Sequence, residues 1–319
     1  MKVSRPLSVC IGFAVLLGVF WVGFRHSPLP SVLGSLFPRA FASFALLLAP
    51  LWFAGFGAAE PVRRLPGGAK ILGAASLALP YVVFALGTPL FDWRVLLIET
   101  AFPTLLAVLL RTSPFGAYMS WRDLAALALI TAAYFLRWFE LAWPFAELRL
   151  LQKLFLADVA LYGFLVMREL RGMGYGLLPS WSAVKVGMRE WVWYFPWALI
   201  LGEVTGFLHF HARLPAPRAV VGTAIFTWFL IALPEELFFR AIVQNLLESR
   251  LGKTGALIAA SILFGLSHFN HGAAFNGRYV VLAAIAGIFY GRAWRTNRAI
   301  VDSTFTHTSV DLLWSLWFR

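Results

Sequence analysis

Charge is scarce in this sequence: Asp, Glu, Lys and Arg make up 13% of the 319 residues, against about 25% in an ordinary soluble domain. With 60% of the chain hydrophobic, too little polar surface remains to cover a water-soluble fold, and the bilayer is the expected solvent. Cysteine is nearly absent. Cys10 stands alone, which excludes a disulfide within the chain and any cluster built on several thiolates. Internal repeats and low-complexity tracts are lacking too. The nearest thing to a linker is 168–189, with Gly172, Gly174, Gly176 and Pro179. It divides the sequence into an N-terminal multi-span region, 1–189, and a C-terminal domain, 190–319.

Acidic residues are the scarcer sign of charge, 15 against 27 basic ones, for a net charge of +12. Such an excess points to nucleic acid when the basic residues share a polar face or alternate with stacking aromatics. Here they lie in short connectors between apolar blocks, where they hold helix ends at an anionic membrane surface. No nucleic-acid partner is expected. The motifs of several enzyme classes are also missing: there is no P-loop, no dinucleotide fingerprint and no His-Glu-x-x-His zinc helix. The Gly-x-Gly-Asp motif of intramembrane aspartyl proteases is absent, and Gly265-Leu266-Ser267-His268 lacks the second Gly of the Gly-x-Ser-Gly serine motif.

Apolar runs near the roughly 20 residues that cross a hydrocarbon core are abundant. They fall at about 7–24, 38–58, 71–91, 95–110, 124–145, 154–167, 190–209, 219–233, 256–269, 279–294 and 299–318. Several are short or carry Pro80, Pro103, Pro144 or Pro196. The expected fold is therefore all-α: a polytopic integral membrane bundle of about eight to eleven transmembrane helices, some kinked or re-entrant. Met1-Lys2-Val3-Ser4-Arg5 has the character of a signal-peptide n-region, but the apolar run behind it is long and no small-x-small cleavage site follows, so it reads as an uncleaved anchor. With that end in the cytoplasm, the connectors holding Arg63, Arg64 and Lys70, then Arg168, Arg171, Lys185 and Arg189, and finally Arg292, Arg295 and Arg298 carry more basic charge than the opposite set. That bias predicts a multi-pass protein of the cell (inner) membrane with a cytoplasmic N-terminus. The Trp residues near span ends, such as Trp191, Trp193, Trp197, Trp314 and Trp317, read as interfacial anchors. Gly287-Ile288-Phe289-Tyr290-Gly291 has the small-xxx-small spacing of closely packed helices.

An ionisable group in a hydrocarbon core costs at least about 2.5–3.5 kcal/mol on insertion scales, so each one calls for a reason. Glu99, the Arg137/Glu140 pair, Asp158 and Glu203 are isolated and read as structural pairs or snorkelling side chains. The C-terminal third differs, with three polar groups in apolar settings. In Pro234-Glu235-Glu236-Leu237-Phe238-Phe239-Arg240, Pro234 is expected to start a helix, with both acids in its first turn at the positive end of the dipole. Glu236 and Arg240 stand at i, i+4 in the favourable order for an ion pair. Glu235 points about 100° away, free to act as a base or to bind a metal. Phe264-Gly265-Leu266-Ser267-His268, followed by Asn270 and His271, is the second group. His307-Thr308-Ser309-Val310-Asp311 is the third, with its imidazole and carboxylate on one helix face.

Glu-Glu-x-x-x-Arg, then Phe-x-x-x-His, then His-x-x-x-Asn or a similar polar residue, is the pattern of the CAAX protease and bacteriocin-processing (CPBP, or ABI) family of intramembrane endopeptidases. The sequence resembles it at Glu235, Glu236 and Arg240, at Phe264 and His268, and at His307 with Asp311, over about 190–319. The resemblance implies hydrolysis of a peptide bond in a membrane-associated protein or peptide. Glu235 and His268 would activate water, His307 and the residue at 311 would bind the oxyanion, and Glu236 and Arg240 would support the site. It leaves the cofactor open between none and a divalent metal such as zinc, for which Glu235, His268 and His307 are the candidate ligands. Asp311 departs from the family's usual Asn, and an ionised Asp would repel an oxyanion. Either it carries a proton or it orients His307, which then donates alone. Two other readings compete: an ion- or proton-coupled transporter using the same Glu and His residues, and a catalytically silent membrane scaffold of the same fold. Nothing in 1–189 assigns that region a role.

Overall fold

The computed structural model describes residues 6–113, 116, 118–212, 214–269 and 276–318. Asn270 and His271 of the second polar group lie outside the described residues, as do Lys2 and Arg5 of the first segment. The protein is an all-α, polytopic helical membrane bundle. Among the described residues six helices are long and apolar enough to cross a membrane: α1 (Pro6–Arg25), α2 (Leu29–Gly55), α3 (Gly67–Ala85), α4 (Trp93–Arg111), α6 (Ala146–Met167) and α8 (Pro217–Leu266). Between and after them run α5 (Trp121–Phe135), α7 (Trp181–Val204), α9 (Gly277–Asn297) and α10 (Ile300–Trp317).

The chain forms two compact units, Met1–Gly116 with Ser120–Leu170, and Ala117–Met119 with Arg171–Arg319. The break thus falls at the start of the glycine-rich 168–189 segment, where Glu169 and Gly172 both take positive φ. In the first unit α2 packs against α3 and α6, and α3 against α4, around a core of Leu47, Leu48, Leu51 and Phe84. Among its described residues a fully buried ion pair joins Arg168 to Asp123 at 2.9 Å. Asp123 also closes a capping box with Ser120 at the start of α5, satisfying N–H groups that a helix end leaves open. The 124–145 run does not make one long helix: α5 stops at Phe135, and Arg137 follows with φ 56°.

The second unit corrects one sequence expectation. Pro234 does not start a helix. The backbone stays right-handed helical at Ala232, Leu233, Glu236 and Leu237, so Glu235 and Glu236 lie inside α8 and away from any helix end. Wider, π-type turns at Trp228–Ala232 and Leu237–Gln244 flank the proline. In such a turn the carbonyl four residues before the proline can bond one residue further on, so the missing N–H leaves no orphan acceptor. The real break is Gly252, at φ 67° and ψ 174°, in a conformation that glycine enters without a steric penalty. A straight helix of 50 residues would be roughly 75 Å long, far more than one hydrocarbon core. Gly252 instead folds α8 into two limbs that pack face to face.

Candidate active site

The fold at Gly252 sets the register of the site. Phe239 and Phe264 lie equally far from the Leu251-Gly252 step, and their rings meet edge to face at 5.1 Å. Glu235 and His268 are also equally far from that step, so the same antiparallel register puts them at one level on facing limbs. A topology in which the first span ended at Pro234 would have separated them.

Helix α9 then packs along the second limb of α8, and the contact is close because of glycine. A Cβ on Gly265 would stand 2.6 Å from the Val280 carbonyl, and one on Gly287 would stand 3.1 Å from Ser261 Cα. A Cβ on Gly291 would overlap Gln244 Oε1 and Leu257 Cδ1. The small-xxx-small segment is thus a packing device, as its spacing implies, and it carries Tyr290 into the site between its two glycines.

Glu236 is the hub. Its side chain and that of Arg240 are both fully buried, with Arg240 Nε 3.1 Å from Glu236 Oε2. The guanidinium also lies over the Phe264 ring at 5.0 Å, a favourable cation–π placement. The other Glu236 oxygen, Oε1, lies 3.0 Å from His307 Nδ1. A carboxylate paired with arginine can only accept, which assigns the proton of this bond to Nδ1. The Tyr290 ring stacks on His307 with centroids 4.5 Å apart and planes at 17°, and Phe264 meets it edge on at 5.6 Å. His307 is thereby held in position and tilt by both limbs of α8 and by α9.

Its remaining nitrogen, Nε2, faces two further carboxylates, Asp311 Oδ2 at 3.4 Å and Glu235 Oε2 at 3.9 Å. Glu235 Oε2 is buried and has no hydrogen-bond partner among the described residues. His268 sits beside this cluster, its ring against Phe264 and Tyr279, both with centroids at 4.8 Å. Its Nδ1 lies 2.8 Å from the Phe264 carbonyl. A carbonyl only accepts, so Nδ1 carries the proton, and Nε2 of the neutral ring is an acceptor. His268 and Asp311 line one cavity of about 80 Å³, room for more than one water. Its other walls are mainly aromatic, among them Tyr194, Phe207, Tyr279, Tyr290 and Trp314.

All six site residues read from the sequence lie in the second unit: Glu235, Glu236, Arg240, His307 and Asp311 form one contact network, with His268 joined to it through Phe264. The imidazole within ion-pair distance of Glu235 is His307. Among the described residues no group of three or more His, Cys, Asp or Glu side chains is arranged to hold a metal ion. Sequence reasoning missed Tyr290 as a partner of His307; its placement between Gly287 and Gly291 was the available signal.

Fold and site together define a polytopic helical membrane protein with a carboxylate–imidazole cluster buried among apolar helices. Residues 217–313 match the family described as type II CAAX prenyl endopeptidase Rce1-like. The match runs from the start of α8 into α10 and contains the six site residues read from the sequence, while Tyr194, Phe207 and Trp314 of the cavity wall lie outside it. No curated protein and no solved structure matches the chain.

Proposed function

We propose that the protein is an intramembrane endopeptidase that cleaves a membrane-associated protein or peptide, and that the C-terminal unit carries the activity. The observation that carries this reading is the unequal surroundings of two adjacent carboxylates. Glu236 is engaged by both Arg240 and His307, whereas Glu235 keeps a buried oxygen without a hydrogen-bond partner. Glu235 is thus the group left to take a proton from water.

In the reaction a water entering the cavity is positioned by His268, through its acceptor nitrogen, and gives a proton to Glu235 as its oxygen attacks the scissile carbonyl. His307 acts as the imidazolium: Nδ1–H donates to Glu236, and Nε2–H is available to the negative charge developing on the carbonyl oxygen. Asp311 Oδ2, 3.4 Å from Nε2, orients that ring. Glu235 then passes its proton to the departing amine. Enclosure by apolar helices strengthens each of these interactions relative to water. The excess of basic residues in alternate connectors supports a cytoplasmic N-terminus in the cell (inner) membrane.

The test compares protein termini by mass spectrometry in host membranes carrying the native chain, Glu235→Gln or His268→Ala at matched levels. A terminus that appears only with the native chain is the expected result, and it names the substrate. Identical termini in all three would count against proteolysis and turn attention to proton flux, the readout of a transporter.

A further inference from the structure

The cavity beside His307 has a chemistry that the hydrolytic machinery does not use. Among the described residues its walls are aromatic and aliphatic, with no Lys or Arg and with Asp311 as the one carboxylate. The Asp311 side chain is about one quarter exposed (26%). Among the described residues no Lys or Arg pairs with it; its contact is the His307 ring at Oδ2. Tyr194, Tyr279, Tyr290 and Trp314 line the same cavity. Trp314 and Tyr279 have centroids 5.9 Å apart, and Phe207 stacks on both, at 6.2 Å and 5.3 Å. Aromatic rings sharing a cavity with one carboxylate attract an organic cation through ring quadrupole and charge together.

The charge count of the site points the same way. Glu235, Glu236 and Asp311 are three carboxylates, with Arg240 and His307 the cationic groups in contact with them. Among the described residues, even with His307 protonated, one negative charge is unmatched in a low-dielectric setting, where it is costly unless a cation accompanies it. A neutral amide at 311 would remove that excess.

We infer that this cavity selects substrates carrying a Lys or Arg side chain next to the scissile bond, and that Asp311 reads its charge. The inference rests on the endopeptidase reading for the word substrate, while its charge preference can be measured without cleavage. The cationic head sits between Asp311 and the aromatic walls, and the aliphatic stem lies along Ala198, Leu282 and Ala286. Docking there also brings the adjacent peptide bond toward His307 and His268.

The experiment uses the full chain in lipid nanodiscs and an N-acetylated peptide library in which each position carries Lys or its neutral analogue Nε-acetyl-lysine, all peptides competing in one reaction. At one position, Lys peptides should be consumed at least tenfold faster than acetyl-lysine peptides. Asp311→Asn should bring that ratio close to one, whatever it does to the overall rate. Equal consumption in the native protein, or a ratio unchanged in Asp311→Asn, overturns the inference. If Asp311→Asn does not fold, Trp314→Leu replaces it: the ratio should fall several-fold, and an unchanged ratio overturns the inference. If no peptide is cut, the endopeptidase reading fails for this library, and saturation-transfer NMR decides the charge preference separately. Butylammonium should then bind in preference to butanol in the native protein and lose that preference in Asp311→Asn. Equal binding of the two probes, or a preference insensitive to residue 311, overturns it.

Discussion

Glu236 and His307 stand 71 positions apart and share a hydrogen bond of 3.0 Å between Oε1 and Nδ1. This bond ties the first limb of α8 to α10. Because the other Glu236 oxygen is held by Arg240, the chain Arg240, Glu236, His307 transmits the position of one helix to the ring that faces Glu235 and Asp311. The site is therefore assembled by helix packing, and its stability and its chemistry are linked.

Arg240→Ala should lower stability and activity together. It strands the Glu236 carboxylate in a fully buried position and removes the cation over Phe264. Breaking a buried pair by removing one partner costs about 3–5 kcal/mol. Chemical unfolding in detergent, read beside peptide cleavage, checks this. A variant as stable as the native protein but inactive would assign Arg240 to the chemistry instead.

Tyr290→Phe should behave like the native enzyme in kcat/KM, because the ring stacked on His307 is kept. Tyr290→Leu removes a ring pair worth about 0.5–1.5 kcal/mol, a loss in kcat/KM of up to about tenfold. Equal losses in both variants would show that the hydroxyl, not the stack, is what matters.

Gly291→Leu should destabilise the second unit, since its Cβ would overlap Gln244 and Leu257 and overpacking costs about 1–3 kcal/mol. Gly18→Ala is the matched control: a Cβ there meets nothing within 4 Å. Thermal unfolding followed by light scattering should lower Tm for the first and leave it unchanged for the second. Equal Tm values would mean that α9 can move away from α8 at little cost.

In the first unit, Asp123→Ala should cost about 3–5 kcal/mol by breaking its buried pair with Arg168, with a further loss of about 1 kcal/mol from the α5 cap. Glu99→Gln should be neutral or stabilising, because both oxygens of that buried carboxylate have no hydrogen-bond partner among the described residues and a neutral side chain is cheaper to bury. Denaturant midpoints of the two variants against the native chain decide it. Strong destabilisation by Glu99→Gln would reveal a partner for that carboxylate.

Much of the site was legible because helical spacing is local. Glu236 with Arg240 and His307 with Asp311 are i, i+4 pairs, and a helix brings such residues together whatever surrounds it. The helix boundary at Pro234 was misread because a proline in isolation stops a helix, and only the flanking π-type turns reveal that this one does not. The partners of His307 were illegible for another reason. Glu236, Tyr290 and Phe264 reach it from other helices, and no local rule fixes how one membrane helix is rotated against the next.

Sequence alone determined the helical membrane class and marked out the ionisable residues that stand among apolar runs, because burying charge there is expensive at any position in the chain. Tertiary structure decided which of those charges meet. Gly252 set the register that levels Glu235 with His268, and the glycines of α8 and α9 allowed the close approach that seats Tyr290 on His307. Asp311 reached an aromatic cavity because α7, α9 and α10 enclose it. Those are consequences of packing between segments far apart in the chain, which depends on shape complementarity rather than on residue type.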